Sequence, residues 1–171
     1  MKTIAVLIWL KVIVMILAVL VVLYLLMIMP RLTNRRERKK FLNVYYAHRG
    51  LHDNETDAPE NSMSAFRRAV EAGYGIELDV QVTKDKIPVV FHDFTLQRVC
   101  GQEGKVCDYT YEELQKFRLC KSSETIPLFE DVLKLVAGKV PLIVELKVEF
   151  TDLSVCKKAD ALLRKYKGLY C

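Results

Sequence analysis

The sequence predicts an α/β fold on a parallel sheet, preceded by one helix that spans a membrane. Two observations carry this. Val12 to Met29 is an unbroken apolar run of 18 residues, long enough to cross a bilayer as a helix. After residue 42, short apolar or alternating segments are each followed by segments with helical spacing. Strand, helix, strand with short links builds a parallel sheet with crossover helices.

The N-terminal segment comes first. Between Ile4 and Met29 the only charge is Lys11. The run exceeds the usual apolar core of a secretory signal, and Pro30, Arg31 and Leu32 follow it where a small-residue cleavage site would stand. Six bases come directly after it (Arg31, Arg35, Arg36, Arg38, Lys39 and Lys40), against Lys2 alone before it. Cationic flanks stay on the cytoplasmic side, so a single-pass membrane protein with a cytosolic domain is expected. The same bases would attract anionic headgroups. A solvated linker is the plainer alternative.

The charge divides in the same way. Residues 1–40 carry a net +7 and the remainder −2, although the whole chain is +5. The basic character belongs to the flank, and a nucleic-acid groove, which needs clustered cations on the domain, is disfavoured. The five cysteines, Cys100, Cys107, Cys120, Cys156 and Cys171, form no CxxC pair. They read as free thiols in a reducing compartment. A Cys100–Cys107 disulfide would require the opposite topology.

Along the domain, Asn43–Ala47 is a short aromatic-rich strand candidate. A polar loop from His48 to Glu60 leads to Asn61 or Ser62, either of which can cap a helix to about Ala72. Gly73 stops that helix. Ile76–Val82 alternates as a strand, and Ile87–Phe91 is another after a tight Lys84-Asp85-Lys86 turn. Residues 94–125 are polar and mixed, with one short helix from Tyr111 to Phe117. Leu128–Val136 reads as a helix ended by Gly138, and Val140–Val148 as an apolar strand. A helix from Asp152 or Ser154 to about Tyr166 follows, and Leu169 begins a further strand. An open doubly wound sheet fits this length. A closed eight-stranded barrel, typically about 250 residues, does not.

Polar residues collect at the strands. His48 and Arg49 follow the first, Glu77 and Asp79 lie two apart in the second, and His92 and Asp93 end the third. Glu145 and Lys147 lie two apart in the fourth, between Val144, Leu146 and Val148. Period-two spacing puts each pair on one face of its strand. Charges on an apolar strand are costly to bury without partners. Three carboxylates suit a hard divalent cation, Mg²⁺ or Ca²⁺. Arginine and lysine suit a phosphate. Two histidines can accept and donate a proton near neutral pH. Together they describe metal-assisted cleavage of a phosphate ester. Taken singly, each has a plainer reading: a structural histidine, the polar face of an edge strand, a surface ion pair. His52 in its polar loop and Asp85 in its turn are read as solvated, and Asp93 as either an orienting group or a helix cap.

The motifs Ala47-His48-Arg49-Gly50, Pro59-Glu60-Asn61-Ser62, Glu77-Leu78-Asp79-Val80, Val89-Val90-Phe91-His92-Asp93 and Glu145-Leu146-Lys147 resemble the glycerophosphodiester phosphodiesterase family. Asp108-Tyr109-Thr110 and Ile126-Pro127 extend the likeness, and Ser62 stands where threonine is commoner in the family. The resemblance implies a TIM (β/α)8 barrel with a small insertion after its third strand. It implies Glu77, Asp79 and Glu145 as the divalent-metal site, His48 and His92 as the acid/base pair, and Arg49 and Lys147 as phosphate-binding groups. Glu60 would orient the first loop. The implied substrates are glycerophosphodiesters, cut to glycerol 3-phosphate and an alcohol by the neighbouring glycerol hydroxyl or by water. Lysophospholipids are the substrates of some membrane-anchored relatives.

The expected organisation is thus a membrane helix over residues 1–30, a basic linker over 31–42 and the catalytic domain over 43–171. That domain would hold strands one to four and the start of the fifth, the first half of a barrel. The chain reads as a fragment of a longer one. A non-enzymatic membrane scaffold is the rival reading, but a decayed domain would be expected to lose some of the matched residues, and all are present.

Overall fold

The computed structural model describes residues 2–29, 35–149 and 152–171, which form two units, Met1–Lys40 and Phe41–Cys171. The start of the expected basic linker, including Arg31, lies outside the described residues.

The first unit is α1 (Lys2–Ile28) and α2 (Arg35–Lys39). Within α1, Val6–Ile28 is long and apolar enough to cross a membrane. Its side chains are exposed, Trp9 at 67% and Leu20 at 55%, an arrangement that water disfavours by about 25 cal/mol per Å² of apolar surface. The expected linker is partly helical: α2 carries four of its bases, and Lys40 closes an ion pair with Glu37 at 2.7 Å.

The second unit begins with β1 (Tyr46–His48), shorter and later than the expected 43–47. The chain then turns sharply through Arg49 (φ 58°) and Gly50 (φ 84°). A Cβ on Gly50 would lie 2.9 Å from the Ala65 Cβ, so only glycine fits. Ser62 caps α3 (Met63–Glu71) by accepting a hydrogen bond from the Ala65 amide at 3.1 Å. One face of α3 buries Ala65, Phe66 and Ala69, and Gly73 ends the helix at φ 72°. Then come β2 (Gly75–Val82) and β3 (Pro88–Val90).

Residues 94–128 fold apart, with α4 (Gln97–Cys100), a 3₁₀ turn at Val106–Asp108 and α5 (Tyr111–Leu114). They bury Leu96, Val99, Leu114, Leu119 and Ile126 against Val89 and Phe91. This is the small insertion that the resemblance implies, with a core of its own. The main core joins the sheet to α3, to α6 (Phe129–Val136) and to α7 (Ser154–Leu163). Ile76, Leu78 and Val80 of β2 and Leu142 of β4 (Leu142–Leu146) are wholly buried there.

The sheet corrects one expectation. β1 and β4 pair in parallel with β2, His48 opposite Glu77 and Glu145 opposite Asp79. β3, however, is antiparallel to β2, with Val90 opposite Val80 and Pro88 opposite Val82. A link as short as 83–87 can only return the chain antiparallel, since a parallel return needs a crossover of a dozen or more residues. β4 occupies one edge of β2 over Ile76–Val80, so β1 and β3 share the other. They approach along it from opposite ends, and their tips meet near Leu78: the Arg49 amide bonds the Glu77 carbonyl, and the Phe91 amide bonds that of Asp79, each at 2.9 Å. At the far end, Leu169 and Cys171 bond Leu142 and Val144, which lays the expected start of a further strand parallel to β4.

Candidate active site

β2 is the axis of the site. Glu77 and Asp79 point to one face by period two, and cross-strand register puts His48 beside Glu77 and Glu145 beside Asp79 on that face. The carboxylates of Glu77, Asp79 and Glu145 offer oxygens within 4.8 Å of one another. Asp79 is wholly buried. Its Oδ2 accepts a hydrogen bond from Asn61 Nδ2 at 3.1 Å, and Arg49 Nε lies 3.7 Å from it. Its Oδ1 faces the Lys147 ammonium at 3.2 Å but has no hydrogen bond of good geometry. Lys147 also pairs with Glu145 at 2.7 Å. Burial and the neighbouring Asp79 carboxylate push the Glu77 carboxyl up from its ordinary value, with Glu145 adding to the effect. For Lys147, burial opposes the charge, but the hydrogen bond to Glu145 and the nearby Asp79 carboxylate outweigh it and raise the ammonium.

Three clustered carboxylates set against Lys147 and a more distant Arg49, itself bound to Glu60, leave an excess of negative charge, and the buried Asp79 Oδ1 has an ammonium nearby but no well-formed hydrogen bond. An oxygen-only donor set of this kind fits a divalent cation.

The two histidines arrive by the converging tips of β1 and β3. His48 is two-thirds exposed, its Nε2 3.8 Å from Glu77 Oε2. His92 holds Asp93 Oδ1 through Nδ1 at 2.6 Å, which leaves its other ring nitrogen for chemistry. Asp93 is therefore an orienting group and not a helix cap. Gln81 braces this loop by donating to the carbonyls of Phe91 and Asp93 at 2.8 and 2.7 Å.

Glu60 acts as the expected organiser of the first loop. Its carboxylate accepts from Arg49 at 2.9 Å, from Asn54 at 2.9 Å and from both terminal nitrogens of Arg98 at 2.7 and 2.8 Å. Burial alone would raise Glu60, but the hydrogen bonds from Arg98, Asn54 and Arg49 bring it down to about 2. His52, given no role from sequence, has its Nδ1 3.0 Å from the His48 carbonyl and braces the turn behind it. Asp85 is exposed as expected, yet it also accepts from Thr83 at 2.5 Å and from the Tyr111 amide at 3.1 Å. All five cysteines are free thiols.

The structure thus brings all seven residues singled out from sequence to one sheet face and its rim. Three participants were missed. Asn61 was read only as a possible cap, though its left-handed φ of 55° turns its side chain to Asp79. Gln81 continues the Glu77/Asp79 alternation and was legible from it. Arg98 carries no sequence signal in its insertion.

The glycerophosphoryl diester phosphodiesterase family model matches residues 48–167. The chain belongs to the glycerophosphoryl diester phosphodiesterase family. A glycerophosphodiester phosphodiesterase from Bacillus altitudinis is 42% identical over 111 residues, covering 61% of this chain and 44% of that protein. Lysophospholipase D GDPD1 from Rattus norvegicus is 34% identical over 161 residues, covering 86% of this chain and 49% of that one. Among solved structures, an Oleispira antarctica phosphodiesterase in complex with the product sn-glycerol-3-phosphate superposes with a TM-score of 0.68 at 27% identity, covering 77% of this chain and 56% of that one. A glycerophosphoryl diester phosphodiesterase from Parabacteroides distasonis gives 0.62 at 31% identity, over 74% of this chain and 45% of that one. These neighbours are TIM barrels, and the α/β domain here makes part of one. The chain spans about half the length of the curated relatives it matches.

Glu60 yields a stability prediction. Its carboxyl falls from an ordinary 4.5 to about 2 on folding. A depressed folded value contributes stability that is complete above the unfolded pKa and lost as pH falls through the folded one. Glu60→Gln is expected to be less stable than wild type by about 2–3 kcal/mol at pH 7, a gap that closes between about pH 4.5 and pH 2. Urea unfolding of both proteins at pH 7, 5 and 3 measures this. A gap that does not change with pH would mean that the Glu60 charge is not its source.

Proposed function

We propose that the whole protein is a metal-dependent phosphodiesterase that hydrolyses glycerophosphodiesters to glycerol 3-phosphate and an alcohol. The observation that carries this reading is the buried, under-compensated Asp79 between Glu77 and Glu145, with two histidines and two cations at the same rim. Glu77, Asp79 and Glu145 would hold the cation, and their hard oxygen donors favour Mg²⁺ or Ca²⁺. When bound, it supplies Lewis-acid stabilisation of phosphoryl charge.

The remaining work falls to the chain's own groups. Arg49, anchored on Glu60, and Lys147, on β4's extension, offer positive charge to the phosphate from two sides. His48 and His92 divide the proton traffic. One imidazole accepts the proton of the attacking group, water or the neighbouring glycerol hydroxyl, as the new P–O bond forms. The other donates a proton to the departing alkoxide as the old P–O bond breaks. Where the glycerol hydroxyl attacks, water then opens the cyclic phosphate, with the histidines exchanging roles, to give glycerol 3-phosphate. Asp93 keeps the His92 ring oriented through Nδ1.

Lysophospholipids are a second substrate reading, favoured by one observation. The match to the rat lysophospholipase D covers 86% of this chain, more than the Phe41–Cys171 unit alone, so it extends into the apolar N-terminal unit. Such a helix would keep the site near a lipid surface. We infer that the helix is an anchor and that the domain lies on the cytosolic side, because the basic residues follow the helix.

Hydrolysis of glycerophosphocholine by the whole protein is expected to stop with a chelator and to return with Mg²⁺ or Ca²⁺. His48→Ala and His92→Ala should each lower turnover by about 10²–10⁴-fold while metal affinity persists, since the ligands are carboxylates. Full activity after thorough chelation, or near-normal turnover in both folded variants, would refute the assignment. For the topology, a membrane-impermeant thiol reagent is expected to leave the domain's free cysteines unlabelled in sealed cells and to label them after permeabilisation. Labelling from outside would reverse the orientation.

A further inference from the structure

Arg98 lies outside the sheet, in α4 of the insertion, yet its side chain donates four hydrogen bonds near the site. Its guanidinium closes two forks at once. Toward Glu60, Nη1 donates to Oε2 at 2.8 Å and Nη2 to Oε1 at 2.7 Å. Toward Asp93, Nε donates to Oδ2 at 2.6 Å and Nη2 to Oδ1 at 3.0 Å. Paired parallel N–H···O bonds of this kind fix geometry as well as charge. The two carboxylates it joins serve different halves of the site. Glu60 Oε1 also accepts from Arg49, and Asp93 Oδ1 also meets His92 Nδ1. The helix bearing Arg98 is itself held down, because Leu96 and Val99 on either side are buried in the insertion's core.

From this geometry we propose that Arg98 is a positioning residue that couples the phosphate-binding Arg49 to the proton-transferring His92 and sets both from the insertion. Its guanidinium bonds Glu60 and Asp93 and none of the proposed metal ligands, so it acts through those two carboxylates. Lysine cannot replace it, because a single ammonium has no planar fork and cannot close two carboxylate pairs at once. The catalytic part of the inference rests on the phosphodiesterase reading above, whereas the positional part does not.

The test uses ¹⁵N NMR of the full chain in nanodiscs, beside kinetics on glycerophosphocholine. In wild type, His92 is expected to hold its proton at Nδ1, facing the Asp93 carboxylate, and Arg49 to show a sharp guanidinium signal. In Arg98→Met and Arg98→Lys, with the dispersed amide spectrum of a folded chain kept, His92 should average between tautomers and the Arg49 signal should broaden. Turnover should fall by about 10²-fold, the scale of a small misplacement of reacting groups. Arg98→Lys, which keeps the charge, decides the matter if Arg98→Met unfolds. Unchanged His92 and Arg49 signals in a folded variant overturn the proposal. If those signals depend on Arg98 but the whole protein cleaves no glycerophosphodiester, the positional coupling stands and the phosphodiesterase reading fails.

Discussion

Asp79 is a carboxylate with no exposed surface in the middle of a central strand, and the arrangement around it compensates that charge. An isolated buried carboxylate costs far more than one side-chain contact returns. Each surrounding element contributes a partner. The first loop sends Asn61 and Arg49, and the extension of β4 sends Lys147. Even so, one Asp79 oxygen lacks a well-formed hydrogen bond, and Glu77 and Glu145 add charge of the same sign. That residual imbalance is what a divalent cation would relieve, and it is the basis for proposing the cluster as a cation site.

The sheet explains how so many polar groups reach one place. Alternation puts Glu77 and Asp79 on the same face, and parallel register carries that face to His48 and Glu145. The antiparallel return of β3 does the rest. It delivers His92 back to the level of Asp79, so the two histidines enter from strand tips that converge on one edge of β2. A parallel third strand would have run away from that point.

This division also explains what was legible in the sequence. Periodicity within one strand is local, so Glu77, Asp79, Glu145 and Lys147 could be placed from spacing alone. The direction of β3 was also legible, since the link at 83–87 is too short for a crossover, but the general strand–helix rhythm obscured it. Asn61 and Arg98 were not legible in that way. Asn61 depends on a left-handed backbone in a polar loop, and Arg98 reaches 38 residues back to Glu60 across a tertiary contact. The insertion's separate core was equally hidden, because its apolar residues (Leu96, Val99, Leu114, Leu119, Ile126) are scattered through polar sequence and meet only when folded.

The central claim is that the carboxylates around Asp79 form a divalent-cation site. The most direct measurement is paramagnetic broadening of backbone amide signals as Mn²⁺ is added to the full chain at low stoichiometry. The account predicts that signals of residues around Glu77, Asp79 and Glu145 vanish first, and that Asp79→Asn abolishes this local effect in a chain that stays folded. Uniform broadening, or loss centred on exposed acidic residues elsewhere such as Glu112 or Glu130, would contradict it.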